Sequence, residues 1–137
     1  MTVRSSLPLI FPMLLACGPD ETVSGFVDPD ARYVLTALSS AEASGELPLP
    51  RATIQFPQEG EVIGEAPCNR YSAQQKVPYP WFELGPIVAT RRTCPDQASE
   101  TLYLRMLSEM TFAEVSGEVL LLSNDQDETL EFTRQSD

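Results

Sequence analysis

A chain of 137 residues has room for one domain built around a single modest core. Its formal net charge of −11, from 20 Asp and Glu against 9 Lys and Arg, argues against nucleic acid and other polyanionic partners, which need clustered cations to neutralise them. Histidine is absent, which excludes Ser–His and Cys–His catalysis and removes the commonest transition-metal ligand.

The chain opens with a single cation, Arg4, ahead of an apolar stretch from Leu7 to Ala16 that ends at Cys17. That stretch is half the length of about 20 residues needed to cross a bilayer, and Pro8 and Pro12 interrupt it. Leu14-Leu15-Ala16-Cys17 instead resembles a lipobox, with a small residue just before the cysteine. The expectation is a lipoprotein signal peptide over 1–16 and lipid attachment at Cys17, so that the membrane is met through a lipid anchor. Gly18 in the following position favours outer-membrane delivery, facing the periplasm. Residues 17–31 are acidic and poor in bulky apolar side chains, and they read as a flexible tether. The folded domain is expected over 32–137.

Tyr33–Leu38 is β-compatible, Ser39–Pro50 is a polar and proline-punctuated loop, and Ala52–Phe56 alternates with period two. Gln58-Glu59-Gly60 supplies turn chemistry, and Val62–Gly64 resumes as an antiparallel partner. Around Tyr79, Trp81, Phe82 and Leu84, three prolines limit the chain to short or edge strands. Pro95 and Asp96 suit a helix start, and Ala98, Leu102, Tyr103, Met106, Leu107 and Met110 form an apolar stripe. Together they predict one helix over about Asp96–Glu109. Phe112–Val115, Val119–Leu122 and Thr129–Thr133, separated by turn residues, read as a terminal meander. The fold class is therefore mainly β, a small curved sheet or open β-barrel with one packed α-helix.

With Cys17 assigned to lipid, Cys68 and Cys94 remain as a pair in an exported, oxidising setting, where a disulfide is the natural outcome and two buried reduced thiols the alternative. The acid run Asn124–Glu128 lacks the glycine and terminal glutamate of a helix–loop–helix calcium site and reads as a solvated hairpin loop. No metal site, cofactor or catalytic residue is expected.

Two stretches carry a resemblance: Gly64-Glu65-Ala66-Pro67-Cys68-Asn69-Arg70-Tyr71-Ser72 and Thr90-Arg91-Arg92-Thr93-Cys94. With Leu84-Gly85-Pro86-Ile87, Glu100, Leu104, Leu107 and Leu130-Glu131-Phe132 in register, the chain resembles the META domain, or HslJ-like, family from about Tyr33 to Arg134. It departs from the family pattern at Pro67, where a glycine is usual, at Tyr33, where a tryptophan is usual, and at Arg92-Thr93 in place of Met-Ala. The resemblance implies a curved, mostly β domain with one helix, in secreted or envelope-anchored bacterial proteins associated with stress tolerance, and it brings no catalytic centre or cofactor.

The leading expectation is a non-enzymatic envelope lipoprotein that binds an unidentified envelope protein through a rim formed by Asn69, Arg70, Tyr71 and Arg91, which flank the two cysteines. Against it stands the simpler possibility that Asn69 only supports a turn and that Thr90 and Arg91 satisfy backbone carbonyls. A second reading is a carrier whose barrel cavity, lined by Tyr79, Trp81 and Phe82, holds a small apolar ligand. An enzyme working with acids, Tyr, Ser or Lys76 ranks last.

Overall fold

A computed structural model describes residues 8–10, 12, 18–41, 44–45 and 52–136, so Cys17 and most of the export segment lie outside the described residues. Nine strands and one α-helix are found among them: β1 (Tyr33–Ser39), β2 (Ser44–Gly45), β3 (Thr53–Ile54), β4 (Glu61–Glu65), β5 (Arg70–Gln74), β6 (Val88–Ala89), α1 (Gln97–Glu109), β7 (Phe112–Ser116), β8 (Val119–Ser123) and β9 (Thr129–Arg134). They form two antiparallel sheets and no closed barrel. The larger runs β2-β1-β9-β8-β7 with β3 also on β1, and the smaller runs β4-β5-β6. A Gln55–Ile63 bridge joins the end of β3 to β4.

The meander forms as its alternation predicts. Ala113, Leu120, Leu122, Leu130 and Phe132 turn one face of β7, β8 and β9 into the core, each essentially inaccessible to water. The helix covers that face with Tyr103, Met106 and Leu107, followed by Met110 just past its end. Tyr103 stands between the sheets, edge-on to Phe132 of β9 at 6.4 Å and to Tyr71 of β5 at 5.9 Å. Burying each such side chain contributes on the order of 1.5–3 kcal/mol, so the sheets are held together chiefly through this helix.

The sequence assigns no strand to Arg70–Gln74, yet β5 is the centre of the smaller sheet. Its alternation is real but thin, because only Tyr71 and Ala73 face inward and the other three residues are polar and exposed. Within the loop predicted over Ser39–Pro50, Ser44 and Gly45 pair with Ser39 and Leu38. The glycine expected at the β3–β4 turn is there for a backbone reason: Gly60 has a φ of +79°, a left-handed conformation that side chains disfavour.

Residues 18–31 are not a free tether. Asp20 accepts hydrogen bonds from the Thr22 amide (2.8 Å), the Thr22 hydroxyl (2.6 Å) and Ser24, which close a 3-10 turn over Val23–Gly25. That turn inserts Val23 into the core with no exposed surface. The Tyr79 amide then donates to the Glu21 carbonyl at 2.7 Å, and Phe26 stacks on Tyr79 at 4.2 Å. Composition misjudged the segment because local side-chain bonds order the turn and one valine anchors it, neither of which shows in an average over the segment.

The aromatic residues assigned to a cavity separate. Phe82 is in the core, Tyr79 is half-buried under Phe26, and Trp81 is 59% exposed. Among the described residues a ligand cavity inside a barrel, lined by these three side chains, therefore has no counterpart.

Asn124–Glu128 is the β8–β9 loop, but Glu128 turns inward. Arg105 of α1 meets it at 3.1 Å and Asn124 Nδ2 donates to it at 3.1 Å. These hydrogen bonds, Arg105 first and Asn124 second, hold the carboxyl below its ordinary value of 4.5 against the opposing effect of burial. A depressed folded-state value contributes stability that is complete above pH 4.5 and disappears as pH falls through the lower folded value. Glu128→Gln should therefore destabilise the protein at pH 7, and the gap to wild type should close as pH is lowered below 4.5 in urea titrations. A gap that stays constant down to pH 2.5 or so would remove the ion pair as its cause.

Candidate functional site

The two sequence motifs meet where the β4–β5 loop approaches the segment leading into α1. Cys68 and Cys94 are joined, with Cα atoms 5.8 Å apart and a sequence separation of 26. Closing a loop of that length stabilises the fold by roughly 3.5 kcal/mol in the chain-entropy account. The loop itself is tied by the Ala66 amide donating to the Asn69 carbonyl at 2.8 Å.

Glu100, in the first turn of α1 and 3% exposed, is the acceptor around which this loop is built. Its Oε1 accepts the backbone N–H of Cys68 at 3.2 Å and of Asn69 at 2.8 Å, and its Oε2 accepts Asn69 Nδ2 at 2.8 Å. A carboxylate is also well placed there electrostatically, since a helix N-terminus favours negative charge. Asn69 completes the network. Its Nδ2 donates to the Arg92 carbonyl at 2.9 Å, and its Oδ1 accepts the Arg92 amide at 2.7 Å and the Thr90 hydroxyl at 2.9 Å. One side chain thus fastens the loop to the helix and to the 90–92 segment together.

The next residue inward is Tyr71. Its hydroxyl donates to the Thr53 carbonyl at 2.6 Å and lies 2.7 Å from the Tyr103 hydroxyl. Burial, reinforced by the neighbouring Tyr103, pushes the Tyr71 hydroxyl well above its ordinary titration range, and burial likewise raises Tyr103. Both are therefore neutral phenols with their polar ends committed to structure. Gly64 makes the arrangement possible, because a Cβ there would stand 2.1 Å from the Thr53 carbonyl oxygen and 2.5 Å from the Tyr71 hydroxyl.

The expected rim therefore divides. Asn69 and Tyr71 are buried, at 5% and 3% exposure, and carry the structural load rather than facing a partner. Arg70 and Arg91 are exposed, and the chain brings them close, since the Thr90 amide donates to the Arg70 carbonyl at 3.1 Å. Arg70 also lines an open groove of about 460 Å³ with Arg32, one acid, Glu65, and Ile63, Tyr71, Val88, Ala89 and Thr90. Arg92, on the same side, donates to the Cys68 carbonyl at 3.4 Å.

This concentration of cations is unusual for so acidic a chain. Arg105 pairs with Glu109 and Glu128, and Arg134 with Asp28, whereas among the described residues Arg32, Arg70, Arg91 and Arg92 are in no ion pair. No three metal-ligating side chains converge among the described residues.

Sequence reasoning placed Glu100 in the motif but gave it no role at the site. The signal was available: Glu100 lies three residues before Tyr103 and seven before Leu107, a lone acid on the apolar stripe of a helix, where a buried, fully hydrogen-bonded side chain is the natural outcome.

The family model described as META domain matches residues 28–137. Among solved structures, an NMR structure of a protein from Burkholderia xenovorans is 23% identical, covering 96% of this chain and 100% of that one with a TM-score of 0.65. A crystal structure of a DUF4847 family protein from Bacteroides vulgatus is 12% identical, covering 80% of this chain and 95% of that one with a TM-score of 0.60. At these identities the likeness concerns the fold. No curated protein matches the chain.

Glu100→Ala leaves two backbone N–H groups and one amide unsatisfied, at about 1–3 kcal/mol each, so urea denaturation should show a loss of about 3 kcal/mol or more. Asn69→Ala should cost a similar amount and couple to Glu100→Ala in a double-mutant cycle, while Arg91→Ala should stay within about 0.5 kcal/mol of wild type. Equal small effects for Asn69 and Arg91 would contradict this division of roles.

Proposed function

The chain belongs to the META domain family, and on that premise we propose that it is a lipid-anchored, non-catalytic binding domain of the bacterial cell envelope. In this reading Cys17 carries the lipid, the protein sits at the outer membrane facing the periplasm, and an envelope protein with an acidic surface is its partner. The observation that carries the binding role is the set of four arginines, Arg32, Arg70, Arg91 and Arg92, which have no carboxylate partners among the described residues of a chain with more than twice as many acids as bases. Arg presents a planar fork suited to carboxylates, and unpaired forks beside an open groove offer a partner pre-positioned contacts.

The non-catalytic part rests on what the polar groups around the motif already do. Both Glu100 oxygens, both polar atoms of the Asn69 side chain and both buried tyrosine hydroxyls are engaged in holding the fold. General acid–base work needs a group free to exchange a proton with substrate, and these are enclosed.

The order of residues 18–31 changes how the anchor would act. With packing under way by Asp20, only Gly18 and Pro19 separate it from Cys17, a distance of roughly 10 Å at full extension. The domain would then rest against the membrane rather than reach away from it.

Fatty-acid labelling should mark the wild-type protein and not Cys17→Ser. Capture of the partner from cross-linked envelopes should fall at least about tenfold in Arg70→Glu/Arg91→Glu, with thermal stability nearly unchanged because both side chains are exposed. Equal labelling of the two proteins would defeat the anchor, and undiminished capture by the charge-reversed protein would defeat the basic rim.

A further inference from the structure

Trp81 is the chain's sole tryptophan and is 59% exposed, an arrangement that leaves the largest apolar side chain mostly in water. It is not a loose surface residue. The Trp81 amide donates to the Pro78 carbonyl at 2.9 Å, the Phe82 amide to Thr111 at 3.0 Å and the Ala113 amide to Pro80 at 2.7 Å, which clamps the 78–82 segment along β7. The indole stands edge-on to Phe112, itself 38% exposed, with ring centres 6.0 Å apart. A rigid, exposed aromatic pair carries little ordering cost when it is covered, which is why such residues dominate binding energetics.

Trp81 lines an open groove of about 750 Å³, with Val77, Pro78 and Met110 among its apolar walls, and Phe112 stands behind it. Every charged residue lining it is an acid: Glu83, Glu109 and Asp125. Glu109 is paired with Arg105 at 2.9 Å, whereas Glu83 and Asp125 are in no ion pair among the described residues. Carboxylates at the rim repel an anionic lipid surface and an acidic protein alike. An indole face attracts cations, and apolar walls accept the methylene stem of a long basic side chain.

We propose that the Trp81 groove is a docking site for a basic segment of a partner polypeptide, with a Lys or Arg side chain laid against the Trp81–Phe112 pair and its charge facing Glu83 and Asp125. This surface is separate from the arginine rim in residues and opposite to it in charge, and it depends neither on that rim nor on the lipid anchor.

The experiment titrates the purified protein with Ac-Lys-Leu-Lys-Leu-Lys-amide and with its counterpart bearing Glu for Lys. Trp81 fluorescence serves as a reporter free of other tryptophans, and calorimetry supplies affinities. The basic peptide should shift the Trp81 emission and bind at least about tenfold more tightly than the acidic one. Trp81→Ala, followed by calorimetry alone, and Glu83→Gln/Asp125→Asn should each weaken the basic peptide by about tenfold. Glu61→Gln/Glu65→Gln removes the same charge from the smaller sheet and should leave binding unchanged.

Equal weakening by the two carboxylate-pair variants would assign the effect to the overall charge and overturn the site. Unchanged affinity in Trp81→Ala would do the same, as would a Trp81 response to phosphatidylcholine vesicles without one to the basic peptide. Arg70→Glu/Arg91→Glu should leave the peptide titration intact, so that failure of the groove and failure of the arginine rim are read separately.

Discussion

The acceptor at Glu100 is the constraint on which the arrangement of this domain depends. A carboxylate buried in the first turn of α1 is costly to desolvate unless hydrogen bonds replace water, and here three N–H groups from Cys68 and Asn69 do so. Those donors belong to a loop between two strands of the smaller sheet, while the helix packs on the larger one. Satisfying one buried group therefore fixes where the two sheets stand. The Cys68–Cys94 bond and the Tyr71–Tyr103 contact lie to either side and reinforce the same junction.

From that junction follows a separation between residues that hold the fold and residues that meet solvent. Asn69 and Tyr71 are adjacent in sequence to Arg70, and the alternation of β5 sends Tyr71 inward and Arg70 out. The Gly64–Ser72 motif is mostly internal scaffolding, and the chemistry offered outward is the guanidinium groups carried by it and by the exposed Thr90–Thr93 stretch. Net charge alone gives a misleading picture of such a surface. An overall value of −11 coexists with a local cluster of arginines in no ion pair among the described residues and, elsewhere, with an aromatic groove edged by acids.

Much of the fold was legible because its signals are local and periodic. The meander's alternation and the three-and-four spacing of Tyr103, Met106, Leu107 and Met110 each encode a buried face directly. Strand β5 escaped because two inward residues among polar neighbours are too few to stand out. The ordered turn at Val23 escaped because it depends on Asp20, Thr22 and Ser24 bonding among themselves. At the site, cysteine arithmetic paired Cys68 with Cys94, but the inward orientation of Asn69 depends on a partner 31 residues away. The exposure of Trp81 was likewise hidden, since composition marks tryptophan as a core residue and only the clamp along β7 turns it outward.

The central claim is that the Cys68 and Asn69 amides are held by a buried acceptor rather than by water, and amide hydrogen exchange tests it most directly. Although both residues sit in a loop between strands, their amides should exchange only through opening on the scale of global unfolding, matching the core amides of β8 and β9. Exchange at the rate of an exposed loop amide, such as that of Asp125, would contradict the account.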